Sequence, residues 1–324
     1  MPWKYLLRRL LASIPVVLGV SAVTFALMHA TGGDYVPGIS DDPRLSAATV
    51  QALRHEYGLD QPWPVQYGLW LWNLLHGDFG RSMIDGTLVS SHIADRLPNT
   101  LELTITAILI GVLLSIPIGV LSANRRGGWI DNALTTLSTA GVAVPEFWLG
   151  LMLILLLAVI PAQHLGAPLL PSSGATASYG GGDPLDRLSH LILPASVLAF
   201  AYLSIWSRFT RSAMVETLSQ DYVRTARAKG MSERRVVYMH ALRNSVIPLV
   251  TLVGLELPGL VSGGVVVEVV FGWPGIGRFA YERALAFDYT TVMGLTTFAA
   301  VLVVGGNLIA DLMYAILDPR IKYS

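Results

Sequence analysis

The residues able to do chemistry in this chain of 324 are few, and their absences narrow the function. There is no cysteine, so no disulfide framework, thiolate nucleophile or cysteine-held metal is possible. The seven histidines are scattered and form no HExxH pair, which leaves a metal centre little support. A phosphate-binding loop of the form GxxxxGK[ST] requires Lys before Ser or Thr. Lys4 precedes Tyr5, Lys229 precedes Gly230 and Lys322 precedes Tyr323, and these are the only lysines. If ATP drives this protein, another chain hydrolyses it. The carboxylates stand out instead. Glu146, Glu256 and Asp311 each sit inside an apolar run, where an acidic group at mid-membrane costs roughly 2.5 to 3.5 kcal/mol. They should face the interior of a helix bundle, which makes them candidates for a translocation path.

The second concentration of charge is the stretch from Arg208 to Arg243, RFTRSAMVETLSQDYVRTARAKGMSERRVVYMHALR, which carries eight of the 22 Lys and Arg. A block this basic between two membrane-length apolar runs should stay on the cytoplasmic side. Its punctuation predicts structure. Asp221 can cap a helix beginning at Tyr222, Gly230 can stop it, and Ser232 with Glu233 can start a second helix running through Val236, Val237, Met239 and Leu242. The expectation is a helix-turn-helix on the inner face. Two roles fit it: a docking site for another chain, or a basic topology determinant touching anionic lipid.

The elements that must position these groups are transmembrane helices. With 53% hydrophobic and 14% charged residues, the chain falls far from a soluble domain, in which about 25% are charged. Runs able to cross a core of about 30 Å lie near residues 10–30, 100–123, 133–162, 191–206, 245–270 and 292–317, the fourth being the shortest. The first is 21 residues long, beyond the apolar core of a signal peptide, and reads as an uncleaved span. Six spans place both termini on one side. That side collects 15 Lys and Arg against 7 on the other, so the N- and C-termini are expected in the cytoplasm. The chain then divides into residues 1–30, tail and first helix; 31–98, an external loop region; and 99–324, a five-helix core including the loop 208–243.

The large external loop is more than a linker. Tyr67, Trp70, Leu71, Leu74 and Leu75 share one helical face, so residues 65–75 should form an amphipathic helix, either at the membrane surface or packing on neighbouring spans, or else closing its own loop. A second external loop, residues 164–190, is rich in Gly and Ser and reads as flexible. Within the spans Pro15, Pro117, Pro145, Pro194, Pro248 and Pro258 recur, with Gly254, Gly259, Gly263 and Gly264 crowded into the fifth. Such residues survive where neighbouring helices or a watery cavity satisfy the freed backbone, so the bundle either bends around a path or packs closely through small residues.

Several motifs carry a resemblance. DYVRTARAKG at Asp221 to Gly230, then HALRN at His240 to Asn244 and Pro248, resembles the cytoplasmic coupling loop of the dipeptide/oligopeptide/nickel family of ABC-transporter permeases, specifically the B-type subunit. Further matches are GLDQPWPVQY at Gly58 to Tyr67, GDFGRS at Gly77 to Ser82, RLPNTLEL at Arg96 to Leu103, PEFWLG at Pro145 to Gly150, HLILPA at His190 to Ala195, FGWPGIGR at Phe271 to Arg278 and DPR at Asp318 to Arg320. Against the general importer pattern, EAA, three residues, Gly and later IxLP, Gly230 fills the glycine and Ala226 the second alanine. Arg224 replaces the Glu, Thr225 the first Ala, His240 the Ile and Arg243 the Pro.

The resemblance implies an all-α membrane protein with the type I ABC-importer permease fold, located in the bacterial plasma (inner) membrane. It implies an ATPase-coupling loop containing Tyr222, Arg224, Thr225, Ala226, Arg227, Gly230, His240, Leu242 and Arg243. The implied partners are a homologous C-type permease, two ATPase subunits that bind the ATP and Mg, an external substrate-binding protein and membrane lipid; no cofactor in this chain and no nucleic acid are expected. The cargo implied is a peptide or related small solute. Two other classes stand beside this one: a secondary transporter using Glu146, Glu256 or Asp311 as a proton site, and a membrane-embedded enzyme, for which no nucleophile or metal constellation exists. The topology is directly testable because no cysteine interferes. Val50→Cys and Ala280→Cys should label from outside with an impermeant thiol reagent, whereas Arg126→Cys and Ser232→Cys should not; the reverse pattern would overturn the assignment.

Overall fold

The computed structural model describes residues 2–30, 46–56, 58, 60–177, 182–260 and 264–317. In chain order the helices are α1 (Pro2–Ala30), α2 (Ala47–Glu56), α3 (Trp63–Leu75), α4 (Val89–Asn124), α5 (Trp129–Ala143), α6 (Glu146–Ile154), α7 (Ile160–Leu165) and α8 (Pro184–Leu218). They continue with α9 (Asp221–Ala228), α10 (Glu233–Arg235), α11 (Leu242–Ser245), α12 (Ile247–Leu255), α13 (Val265–Val270), α14 (Ile276–Leu285) and α15 (Tyr289–Leu317). Single π-helical turns, Leu155–Val159 and Val236–Ala241, join α6 to α7 and α10 to α11. Six segments among the described residues are long and apolar enough to cross a membrane: Leu7–Ala30, Val89–Asn124, Glu146–Leu165, Pro184–Leu218, Glu233–Leu255 and Tyr289–Ala310.

Three spans depart from the simple rods expected. The third, read as residues 133–162, is interrupted: α5 stops at Ala143 and α6 starts at Glu146. Pro145 excludes its predecessor from the helical region, and Val144 is accordingly extended at φ −79°, ψ 120°. The fifth, read as 245–270, breaks after α12 into a 3-10 turn, Leu257–Leu260, and α13. Pro258 and Gly259 lie within that turn, while Gly263 is outside the described residues. The fourth, read as the shortest, is one of the longest. α8 continues through Arg208 and Arg211 to Leu218 because nothing between Trp206 and Leu218 breaks a helix, and Thr210, Met214 and Thr217 keep a buried stripe at spacings of four and three. The DPR at Asp318 to Arg320 and Arg44 also lie outside the described residues.

The chain forms two compact units, Met1–Thr100 with Pro274–Ser324, and Leu101–Trp273. In the first, α1 packs along α15, and the predicted amphipathic helix is α3, which packs on α1. Tyr67 OH donates to the Leu18 carbonyl at 3.1 Å and shares a 2.8 Å hydrogen bond with Ser21 Oγ, while His29 Nε2 and Gln66 Oε1 meet at 3.0 Å. Asp288, with no exposed surface, accepts from Ser82 Oγ at 2.6 Å, the Met83 N–H at 3.1 Å and Thr291 Oγ1 at 2.8 Å. The GDFGRS segment is thereby pinned to the start of α15. Arg283 donates to Asp85 at 2.7 Å and lies over the Phe279 ring, as does Arg96.

The second unit is built on α8. Leu191, Leu193, Ala195, Val197, Leu198 and Ala199 form its core with Leu103 and Ala107 of α4 and with Val267, Phe271 and Trp273, and α6 packs against it. Arg187 Nε donates to both carboxylate oxygens of Glu102 at 3.0 and 2.9 Å and its guanidinium faces the Trp273 ring. Where α4 crosses α8, the approach is too close for a side chain. A Cβ on Gly119 would fall 2.6 Å from Thr210 Cβ and 2.9 Å from the Ser207 carbonyl, a backbone atom of a buried helix. Gly119→Val is therefore expected to cost about 1 to 3 kcal/mol through overpacking, read as a lowered unfolding midpoint of the purified protein. Gly19→Ala, where a Cβ meets nothing within 4 Å, serves as the control and should be neutral or slightly stabilising. Equal midpoints for the two variants would contradict the crossing.

Candidate functional site

The helix-turn-helix forms, with its punctuation shifted by one residue at the start. Only Ser219 and Gln220 separate α8 from α9, and Gln220 rather than Asp221 holds the extended cap position, φ −73°, ψ 150°. Asp221 is the first helical residue and makes no side-chain cap bond. It contributes instead as a carboxylate in the first turn, where the helix dipole favours negative charge. The end of α9 is a Schellman closure. The Gly230 N–H donates to the Arg227 carbonyl at 2.9 Å and the Met231 N–H to the Ala226 carbonyl at 3.3 Å, with Gly230 at φ +77°. Ser232 is extended and starts the second helix, which runs beyond the predicted Leu242 to Ser245.

Inside the turn, Val223 and Val236 are fully buried with Ala226, and Leu218 and Met231 close the cluster. Ala226 is therefore an interior residue of the motif, small because two helices meet over it. Two polar closures lock the outside. Arg227 Nε and Nη2 donate to the two oxygens of Glu233 at 3.1 and 2.6 Å across the turn, and Asn244 Nδ2 donates to Tyr222 OH at 2.9 Å, joining the beginning of α9 to the end of the second helix. Thr225 Oγ1 donates back to the Asp221 carbonyl at 2.9 Å. Half-buried Leu242 packs with Val120, Ala123, Met214, Val237 and Ala241, which anchors the motif on α4 and α8. His240 is half-buried and its carbonyl accepts from Asn244 at 3.3 Å. Tyr222, Arg224, Thr225, Arg227, Gly230 and Arg243 remain exposed. So do Tyr238 and Met239, 55% and 62% exposed, which line a groove with Ser232, Arg234 and Arg235.

A brace invisible in the sequence lies beside this motif. Asp131, in the first turn of α5 and 2% exposed, accepts from Arg211 Nε at 2.6 Å and Arg211 Nη2 at 2.7 Å. It also accepts from Ser122 Oγ at the end of α4 and from the Gly127 N–H at 2.8 Å in the connecting turn. The Arg211 hydrogen bonds hold its carboxyl well below the usual carboxylate range, against the opposing effect of burial. A depressed carboxylate contributes stability above its unfolded pKa, and that contribution is lost as pH falls through the folded value. Arg211 had been legible only as one charge of a basic stretch. Its partner lies 80 residues away, and no local spacing encodes the pair.

Of the three membrane acids, two have described side chains. Glu146, at the start of α6, and Glu256, at the end of α12, are both half-buried. Asp311 is on α15, but its side chain is outside the described residues. Among the described residues no group of three or more His, Asp or Glu could hold a metal ion.

Comparison with known proteins agrees with this architecture. The family described as "Binding-protein-dependent transport system inner membrane component" matches residues 115–323, and its N-terminal companion matches residues 2–104. The oligopeptide transport system permease protein AppB of Bacillus subtilis (strain 168) is 46% identical over 320 residues, covering 98% of this chain and 99% of that one. The dipeptide transport system permease protein DppB of Escherichia coli (strain K12) is 37% identical over 335 residues, covering 99% of each. Among solved structures, the MetNI methionine ABC transporter in an inward-facing conformation matches with a TM-score of 0.55 at 17% identity, over 70% of this chain and 96% of that chain. An amino acid ABC transporter matches with a TM-score of 0.51 at 16% identity, over 70% and 94%; both likenesses show the fold. The chain belongs to the binding-protein-dependent transport system inner membrane components, as a multi-pass permease subunit of an importer.

Proposed function

We propose that this permease carries peptides or a closely related small solute, and that residues 221–245 transmit the motion of a partner ATPase to the spans. The observation that carries the second part is the double closure of the helix-turn-helix, by the Schellman turn and the Arg227–Glu233 pair at one end and by Tyr222–Asn244 at the other. A knob that follows a motor must keep its shape, because a loop that yields absorbs the motion. In this reading ATP and Mg bind two ATPase subunits, a homologous C-type permease completes the path and an external binding protein delivers the solute. ATP binding closes the ATPase dimer, the motif follows as a body, and the spans open outward. No catalytic residue belongs to this chain. Peptide cargo is supported by the peptide-permease relatives, similar over nearly their whole length. Glu146 and Glu256, half-buried at the interruptions of the third and fifth spans, are the acids that would face such a path.

Shape variants test transmission. Gly230→Val strains a left-handed position by about 1 to 2 kcal/mol, and Ala226→Glu forces a carboxylate between Val223 and Val236, so both should lower uptake while the spans stay inserted. Docking is tested separately at the exposed groove: Tyr238→Ala with Met239→Ala should release the ATPases from detergent-purified complexes. A basic loop serving only as a lipid anchor would behave in the opposite way, tolerating all of these and failing on Arg234→Gln with Arg235→Gln.

The brace makes its own prediction. Removing one partner of a buried ion pair costs on the order of 3 kcal/mol, so Asp131→Asn should lower the unfolding midpoint and, because Arg211 lies on the helix that feeds the motif, raise the ATP hydrolysed per solute moved. A lowered midpoint with an unchanged ratio would confine the pair to folding.

A further inference from the structure

We infer that the turn joining α4 to α5 seats the headgroup of an anionic phospholipid. The turn runs from Arg125 to Gly128 and presents two adjacent arginines, followed at once by Trp129. Both arginines are exposed, and no hydrogen bond or ion pair joins either guanidinium to another group among the described residues. Trp129 is 78% exposed. The turn itself is held in shape. The Gly128 N–H donates to the Arg125 carbonyl at 2.9 Å, and the Gly127 N–H, with Gly127 at φ +76°, donates to Asp131 at 2.8 Å. The arginines therefore project from a backbone fixed on the same carboxylate that receives Arg211.

The position of the turn and its charges select the occupant. Exposed leucine continues along the crossing helix α4 as far as Leu121, one turn before the arginines, and returns at Leu137 on α5, so the turn stands where hydrocarbon gives way to headgroups. Tryptophan concentrates at that level, and an arginine there can lay its stem along apolar surface while its charge stays in water. A guanidinium offers five donors in a planar fork, which matches the oxygens of a phosphate in pairs. The ammonium of a zwitterionic headgroup would need a carboxylate, and the turn offers none. No acid lies between Glu102 and Asp131 in the sequence, and Asp131, 2% exposed, is already occupied by Arg211, Ser122 and Gly127. The occupant must present an anion beside hydrocarbon, as an anionic phospholipid does and an acidic protein surface does not.

The test uses the assembled transporter, purified in detergent and titrated with phosphatidylglycerol or phosphatidylcholine under native mass spectrometry. The unaltered complex should bind phosphatidylglycerol the more tightly. Arg125→Gln with Arg126→Gln should weaken its tightest phosphatidylglycerol binding about 30-fold, at about fivefold for each arginine beside an anionic headgroup, and leave phosphatidylcholine binding unchanged. Arg234→Gln with Arg235→Gln removes the same charge from exposed positions on the motif and should leave that affinity as it was. The proposal is overturned if the unaltered complex shows no preference for phosphatidylglycerol, or if the two double variants weaken its binding equally, which would reduce the effect to overall charge. It is also overturned if Arg125→Gln with Arg126→Gln binds phosphatidylglycerol as tightly as the unaltered complex; release of a partner subunit in that variant would then make the turn a seat for protein.

Discussion

In hydrocarbon a backbone N–H or C=O without a partner costs several kcal/mol, so each departure from a helix has to be compensated within the protein. This chain departs from helices at specific places and supplies a replacement at several of them. Where the fifth span breaks, Thr104 Oγ1 donates to the Leu260 carbonyl at 3.0 Å, and past the end of α13 the Trp273 N–H closes on the Glu268 carbonyl at 2.8 Å. Where α6 meets α7 and where the second helix of the motif begins, the chain takes in an extra residue as a π-helical turn and keeps its hydrogen bonding unbroken. The breaks coincide with the acids. Glu146 begins α6 just after the Pro145 interruption and Glu256 follows the last residue of α12. Polar groups placed at helix ends are tolerated in a membrane because irregular backbone there already requires polar company.

The helix-turn-helix is tied to the core at both of its ends. α8 leaves the core as an unbroken helix and reaches the motif with a two-residue interruption, so α9 is an extension of a buried rod. The return path begins at Ser232 and passes through Leu242 into α12. Both arms are thus anchored in the core of Leu101–Trp273, and Asp131 ties α8 to the ends of α4 and α5. A buried ion pair adds little net stability over an apolar alternative, but its fork geometry admits one arrangement. In the transmission role proposed for the motif, geometry counts for more than stability.

Much of this was legible in the sequence because the strongest signals are local. Apolar run length gives the six crossings, Gly230 gives the turn, and the face shared by Tyr67, Trp70 and Leu74 gives α3. The motifs behind the family resemblance turn out to be packing anchors as well: Trp273 and Phe271 are buried in a core, Ser82 is fixed on Asp288, and the Thr100 hydroxyl accepts from the Ile276 N–H at 2.8 Å. What escaped depends on tertiary contact. Run length alone could not distinguish a continuous third span from one cut by Pro145, nor show that α8 carries its helix through a basic stretch whose buried residues are Thr210, Met214 and Thr217. Smallness at Ala226 suits both an external groove and an internal crossing, and only the position of Val236 decides between them.

The claim that the motif moves as a body can be tested on the contact that closes it. Val223 and Val236 belong to one buried cluster and the chain has no cysteine, so Val223→Cys with Val236→Cys can be joined by oxidation or a short bis-maleimide in the assembled transporter. Solute uptake driven by ATP in proteoliposomes is then compared before and after joining. If the helix-turn-helix transmits motion without changing shape, the joined and unjoined proteins transport at the same rate per ATP hydrolysed. Loss of uptake on joining, restored by reduction of the disulfide, would show that the two helices must part during the cycle and would contradict the account.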